Sequence, residues 1–273
     1  MPRALFTSKN LIGDALYVQP ALEAWAKEHP EWAIDLLTLD DHVTCLYEGM
    51  TPAFQLREVL PKYRIVFDRC QKKYDFEHEF NVNSAFLIGH EKKMHVSEAY
   101  ANLLGVELPK NVRVKYTPPE MPHDEGLVLI SMHSNSCASR EGKPPNKMLS
   151  WAHWFPILEM CRQLGPIGVL GGPNDRAPLP ISEDEFYTGL PLPLIANMMK
   201  DAKLLITIDN GMGHLAGTQG TPTILFYPSC LGQHWIYPLN ERGKLYIHQM
   251  DPSTFPLDAA QLIVREGIKK LLG

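Results

Sequence analysis

Asp209, Gly211 and His214 stand within one run, Leu204-Leu205-Ile206-Thr207-Ile208-Asp209-Asn210-Gly211-Met212-Gly213-His214-Leu215-Ala216. An apolar strand ends there in an acid and a glycine, and a helix begins at once. Such a junction aims backbone N–H groups and the positive end of a helix dipole at one spot, which suits a phosphorylated ligand. Asn210 can cap the helix, and Gly211 lets a ligand approach the backbone closely. The amides of Gly211, Met212 and Gly213 would face an anion, and His214, one turn inside, can face the same site. An ordinary capped strand-to-helix turn uses the same residue types.

A second strand–glycine–helix junction carries Gly13 and Asp14, close to Asn10. There the acid can serve as a general base toward a hydroxyl, or simply complement the helix dipole. A third junction, Gly171-Gly172-Pro173-Asn174-Asp175, permits a sharp exit from a strand. Asp175 can accept hydrogen bonds from a nucleoside, or close a surface turn. It is neither a dinucleotide fingerprint nor a P-loop. The loop from Ser134 to Lys147 offers Arg140, Lys143 and Lys147 as cations for a diphosphate, or as solvated surface charge. His78, His90 and His95 lack the spacing of a helical metal pair, so no metal site is expected. Cys137 has no identifiable partner base and reads as structural.

These residues need a scaffold, and the hydrophobic pattern supplies it. Strands are expected at Ala4–Thr7, Ala33–Leu39, Tyr74–Phe80, Val112–Tyr116, Leu127–Ser131, Ile167–Leu170, Leu204–Asp209, Thr223–Tyr227 and Lys244–His248. Helices are expected from Leu11 past Trp25, over His95–Leu104, from a Ser150 cap onward, and over Leu192–Ala202, Gly211–Gln219 and Leu257–Leu272. Pro20 should kink the first of these. Strands alternate with helices, which implies mostly parallel sheets covered on both faces. Three prolines within residues 117–126 mark a linker. The expected division is an N-terminal Rossmann-like domain at 1–117, a linker at 118–126, a C-terminal domain at 127–256, and a helix at 257–273 that can pack back on the first domain.

The 273 residues are 45% hydrophobic and 21% charged, with a formal net charge of −5. That balance builds a sizeable core and disfavours broad nucleic-acid binding. Five scattered cysteines without a C-x-x-C pair suggest neither a disulfide framework nor a zinc site, so a reducing cytoplasm is the expected setting. The first residues read as a strand rather than as a signal peptide. Trp151, Trp154 and Trp235 can anchor at a membrane surface, although their context favours burial.

The motifs together resemble glycosyltransferase family 9, the ADP-heptose:lipopolysaccharide heptosyltransferases. Ile12-Gly13-Asp14-Ala15-Leu16 with Pro20-Ala21-Leu22 is similar to the family's opening Leu-Gly-Asp…Pro-Ala-Leu. Tyr74-Asp75 and the end of His95–Val106, Leu104-Gly105-Val106, resemble its middle section. Asn146-Lys147 followed by Trp154 is similar to its Lys-Trp-Pro…Trp motif, with Leu149 and Ser150 where Trp and Pro are usual. Asp209-Asn210-Gly211…His214-Leu215-Ala216 and Gly220-Thr221-Pro222-Thr223 closely resemble Asp-Thr-Gly…His-Leu-Ala…Gly-Thr-Pro-Thr. The likeness runs in order along nearly the whole chain, which would be a short member.

The resemblance implies an α/β, GT-B-like fold: two Rossmann-like parallel-sheet domains facing a central cleft. It also implies a first helix continuing past Pro20. The implied activity is inverting transfer of a heptose or hexose from a nucleotide-diphosphate sugar, such as ADP-heptose, with no metal or other cofactor. The acceptor would be a hydroxyl on a glycan, a lipid-linked precursor or a protein. The protein would work in the cytoplasm, in peripheral contact with the inner face of the membrane and in lipopolysaccharide biosynthesis. Asp14 would be the base, with Asn10 and Gly13 in the acceptor-side loop. Lys147, Asp175, Asp209, Asn210, Gly211, Met212, Gly213 and His214 would bind the donor. Asn10-Leu11 replaces a customary Ser-Ser pair, and Asn210 replaces the usual Thr or Ser. Two other readings therefore stand beside this one: a nucleotide-sugar-binding partner without catalysis, and a GT-B sugar-nucleotide epimerase.

Overall fold

Near-continuous apolar runs such as Val128–Ser131 and Leu204–Ile208 suit strands buried on both faces, as parallel sheets require. The computed structural model describes residues 1–8, 11–38, 41–48, 56–60, 74–109, 114, 116–133, 147–172, 175, 177–178, 180–229 and 244–273, with backbone alone at 41, 42, 48 and 56–60. Among them the chain divides into two compact units, one within residues 1–117 and one beginning at Pro118. Every strand pairing in both is parallel.

The first unit contains β1 (Arg3–Ser8), α1 (Ile12–Glu28), β2 (Ala33–Thr38), α2 (Asp41–Glu48), β3 (Leu56–Leu60), β4 (Phe76–Phe80), α3 (Val82–Lys92) and α4 (Val96–Leu104). Its sheet runs β3-β2-β1-β4. Alternate residues of β4, Phe76, His78 and Phe80, share a face with Phe6, and Trp25 of α1 stacks on Phe76. Asp35, nearly fully buried, is held by Arg3 at 2.7 Å and by the Tyr74 hydroxyl at 2.9 Å. The helix α1 runs through Pro20 as one element of 17 residues. Proline removes one hydrogen bond, but Ala15, Leu16, Val18, Leu22 and Trp25 bury a continuous face around it. Packing therefore outweighs the local defect. The expected strand at Val112–Tyr116 falls mostly outside the described residues, and Val114 and Tyr116 are in no strand.

The second unit contains β5 (Val128–Ser131), α5 (Trp151–Arg162), β6 (Ile167–Gly171), β7 (Phe186–Thr188), α6 (Leu192–Lys200), β8 (Leu204–Ile208), α7 (Gly211–Gln219), β9 (Thr223–Pro228), β10 (Leu245–Met250) and α8 (Leu257–Leu272). The sheet order is β10-β9-β8-β5-β6-β7. Read from the other edge, this is the doubly wound order of dinucleotide-binding folds, with the direction of winding reversing between β5 and β8. Right-handed crossovers then put α5 and α7 on opposite faces. Trp154, Ile157, Leu158 and Cys161 of α5 join Ala260, Ile263 and Val264 of α8 over Ile130, Ile206, Ile224 and Phe226. α8 lies close to the sheet because Gly267 has no side chain. A Cβ there would meet Ile224 Cδ1 at 2.6 Å and Tyr246 Cδ1 at 2.9 Å.

Residues 118–126 are fastened to the second unit. Asn197 Nδ2 donates to the Pro119 carbonyl at 2.7 Å, and the Tyr187 hydroxyl donates to Asp124 at 2.6 Å. The Gly126 amide donates to the Asp201 carbonyl at 3.0 Å. The His123 ring lies between the Met121 carbonyl at 2.7 Å and the Asp201 carboxylate at 2.9 Å. No described helix is long and apolar enough to cross a membrane.

Candidate functional site

The reversal between β5 and β8 concentrates polar side chains at the carboxyl edge of the second sheet. Asp209 follows β8 and is 4% exposed. Lys147 Nζ donates to its Oδ2 at 2.5 Å. His214, on the first turn of α7, brings Nε2 to 3.9 Å from Asp209 Oδ1, too long for a hydrogen bond but close enough for charge to matter. The structure thus gathers Lys147, Asp209 and His214 into one cluster across 67 residues of sequence.

Asn210 is the N-cap of α7. Its Oδ1 accepts from the Met212 amide at 3.0 Å and the Gly213 amide at 3.2 Å. Its Nδ2 donates to Ser131 Oγ at 3.0 Å and to the His133 carbonyl at 2.8 Å. The Thr207 hydroxyl lies 3.1 Å from Oδ1 and 3.0 Å from the Ser131 carbonyl, and its single proton can serve one of them at a time. Two of the three amides expected to face an anion are therefore already capped from within the chain. Gly211 stays outside the cap and is half-exposed.

The Asp175 carboxylate accepts from the Gly172 amide at 2.7 Å, and its own amide donates to the Gly172 carbonyl at 3.1 Å. This closes the turn after β6, and Asp175 itself is exposed. Gly171 is explained by packing: a Cβ would stand 2.5 Å from Phe186 Cζ. Ser150 is the N-cap of α5 but makes no cap bond. Its Oγ instead pairs with His153 Nδ1 at 2.7 Å, while His153 Nε2 pairs with the Phe255 carbonyl at 2.9 Å. A carbonyl only accepts, so Nε2 carries a proton and donates to Phe255.

In the first unit, Asp14 lies in the first turn of α1, just past the end of β1, with Gly13 half-buried before it. Its charge adds to the upward push that burial gives the Tyr47 hydroxyl, while a hydrogen bond from Ser8 opposes that push. Ser8 and Tyr47 are both fully buried, 2.8 Å apart. A second hydroxyl pair, Thr38 with Thr44 at 2.9 Å, joins the end of β2 to α2. α2 is thus strapped to the same sheet edge that carries Asp14. Asn10, Arg140, Cys137, Lys143 and Trp235 lie outside the described residues.

The three histidines are placed apart. His78 sits among Phe6, Phe76 and Phe80, where burial lowers its pKa. His90 is exposed near the end of α3. His95 caps α4 in a reciprocal box with Glu98. Ser131, Thr207 and the His133 carbonyl were not foreseen, because no local pattern announces that β5 lies beside β8.

No protein-family model matches the sequence, and no curated protein matches it significantly. Solved structures do match. The ADP-heptose lps heptosyltransferase II of E. coli aligns with a TM-score of 0.73 at 13% identity, covering 100% of both chains. The glycosyl transferase family 9 structure from Veillonella parvula aligns with a TM-score of 0.70 at 16% identity, covering 99% of this chain and 97% of that one. E. coli heptosyltransferase WaaC with ADP aligns with a TM-score of 0.65 at 17% identity, covering 97% and 99%. What these chains share at such identities is the fold. The expected α/β class, with two parallel sheets of the GT-B-like kind, is the one found.

Proposed function

We propose that the protein is a glycosyltransferase that moves a heptose or hexose from a nucleotide-diphosphate sugar to a hydroxyl on a glycan or lipid precursor, with inversion and without a metal. The observation that carries this reading is the cluster of Lys147, Asp209 and His214 at the winding reversal, beside the start of α7. That is where open α/β sheets take nucleotides. Lys147 and the Gly211 amide would meet the phosphates, helped by the helix dipole. Asp175 and its turn would lie toward the nucleoside.

In the reaction, Asp14 would take the acceptor hydroxyl proton while the acceptor oxygen attacks the anomeric carbon from the face opposite the nucleotide. The bond from that carbon to the diphosphate oxygen breaks, and the leaving group carries away the electron pair. Lys147 would stabilise the charge that develops on it. Line-of-attack geometry inverts the anomeric centre. ADP-heptose is the donor to try first, and an inner-membrane surface the natural meeting place with a lipid-linked acceptor.

The test is nucleotide release from ADP- and UDP-sugars offered with candidate acceptors. Wild type should release nucleotide, and Asp14→Ala should lose about 100-fold or more of that rate while binding nucleotide as before. Failure to bind any nucleotide sugar rejects the reading. The capped Met212 and Gly213 amides favour a second reading, a nucleotide-sugar-binding partner without turnover. Tight binding with no release on any acceptor, and no effect of Asp14→Ala, would select it.

A further inference from the structure

Two asparagines occupy equivalent places in the two units. Each follows the strand just across the winding reversal and caps the next helix. Asn81, between β4 and α3, accepts from the Asn83 and Ser84 amides at 3.0 and 3.1 Å. Asn210, between β8 and α7, accepts from the Met212 and Gly213 amides at 3.0 and 3.2 Å. Among the described residues the Asn81 side chain makes only those cap bonds. Asn210 goes further, because its Nδ2 reaches across the reversal to Ser131 Oγ and the His133 carbonyl.

A carboxamide has two acceptor positions and two N–H groups. At Asn210 all four are used, which also fixes the orientation of the amide. Turning it over would aim N–H groups at two amide donors and an oxygen at a carbonyl. Ser131 is 3% exposed and Thr207 is fully buried, so the network is rooted in the core at that end, while Asn210 is half-buried and its bond to the His133 carbonyl is open to water.

We propose that Asn210 is a positioning residue for the donor crevice: its oxygen closes the start of α7 and its nitrogen holds the exit of β5 at Met132–His133. This rests on the proposed nucleotide-sugar reading and deepens it. Phosphate recognition then falls on Lys147 and the Gly211 amide rather than on the whole amide row, and the crevice keeps its shape before any ligand arrives.

Two variants separate the roles. Asn210→Asp keeps an oxygen for the α7 amides but has no N–H for Ser131 or His133. Asn210→Ser keeps one cap bond, adds no charge and cannot span to His133. Two measurements on the full chain read the result: amide hydrogen exchange and ADP titration by calorimetry. Exchange across 131–133 should rise roughly fivefold in both variants, as loss of the bond to the His133 carbonyl implies, since the Ser131 hydroxyl can turn and donate to a carboxylate at position 210. Exchange at Met212 and Gly213 should stay near wild type in Asn210→Asp. ADP should bind roughly three- to tenfold more weakly to Asn210→Ser, and weaker still to Asn210→Asp, where a carboxylate faces the phosphates. Asn81→Asp is the control for capping alone and should leave both readouts unchanged.

Unchanged exchange at 131–133 in both variants overturns the proposal, whatever ADP does. Unchanged ADP affinity of Asn210→Ser, with wild type binding ADP, also overturns it. If wild type itself binds no nucleotide, the functional reading fails, and the exchange result still tests the brace.

Discussion

Lys147→Met divides the two tasks assigned to this lysine. Its ammonium stands 2.5 Å from a carboxylate whose side chain is 5% exposed, while the lysine side chain is 21% exposed. Removing one member of a buried pair strands the other charge, at a cost of about 3–5 kcal/mol. Water reaches the lysine end here, so about 2–3 kcal/mol is the expected loss. For a unit of this size that loss lowers the melting temperature by about 4–12 °C. The phosphates lose a charged hydrogen-bond donor, so ADP should bind roughly 10- to 100-fold more weakly. The double variant Lys147→Met/Asp209→Asn removes the stranded charge. It should regain most of the melting temperature while ADP affinity stays low. Scanning calorimetry and ADP titration on the four members of the cycle decide it. A single variant that melts with wild type shows that Asp209 is not held as described. Wild-type ADP affinity in both lysine variants shows that Lys147 does not serve the phosphates.

Two further outcomes follow from the packing and from the linker. Gly267→Ala should lower stability: overpacking against the fully buried Ile224 costs about 1–3 kcal/mol, against about 1 kcal/mol gained in helix propensity. A drop in the urea midpoint that Ile224→Val partly reverses is the expected signature, and a rise would contradict the close approach of α8. His123 lies between two acceptors, so both ring nitrogens donate only when the ring is a cation. Its pKa is accordingly raised, chiefly by the Met121 carbonyl, against the opposing effect of burial, and further by Asp201 and Glu125. A raised folded pKa contributes stability that is full below the unfolded value near ~6.5 and is lost as pH climbs through the folded value. Residues 118–126 should therefore resist proteolysis better at pH 6 than at pH 8.5. Asp201→Asn should weaken that dependence, and a flat profile in wild type would exclude the cation.

Where the sequence carried both a period and two end signals, the elements could be read to the residue. Gly211–Gln219 has Asn210 before it and Gly220 after it, at φ +69°. Leu257–Leu272 buries Ala260, Ile263, Val264 and Gly267 at helical spacing. The elements that escaped lacked the apolar period or the length that such a reading needs. α3 buries only Ala85 and Gly89, which leaves no apolar stripe to count. β7 is an edge strand of three residues. At Ser150 the residue type predicted a cap, yet its hydroxyl turned to His153, whose other nitrogen is engaged by Phe255, 102 residues on. Within the site, Asp209, Gly211 and His214 were legible because they are neighbours in sequence. Lys147 was offered only as a cation for a diphosphate, from its loop and from the family resemblance; its contact with Asp209 is a property of the folded chain.

The strand order explains why the polar residues collect where they do. Each loop leaving a strand must cross to the face that its right-handed connection dictates. Inside either half of the second sheet, successive connections leave toward the same face and crowd one another. At β5 and β8 they part, since α5 and α7 take opposite faces, the arrangement that in open α/β sheets leaves a crevice between the two exits. A gap at a sheet edge exposes backbone N–H and carbonyl groups that the ladder no longer pairs, and each must find a partner. Asn210 answers that need with one side chain, taking two amides from α7 and giving two hydrogens toward β5. Asp209, left just outside that network, is the group still requiring a cation, and Lys147 supplies it. A phosphate entering the gap would compete with Asp209 for Lys147 while Asn210 keeps its own partners. Under the proposed function, binding should therefore be an exchange of one anion for another at Lys147, and ADP affinity should depend more on the lysine than on the helix start.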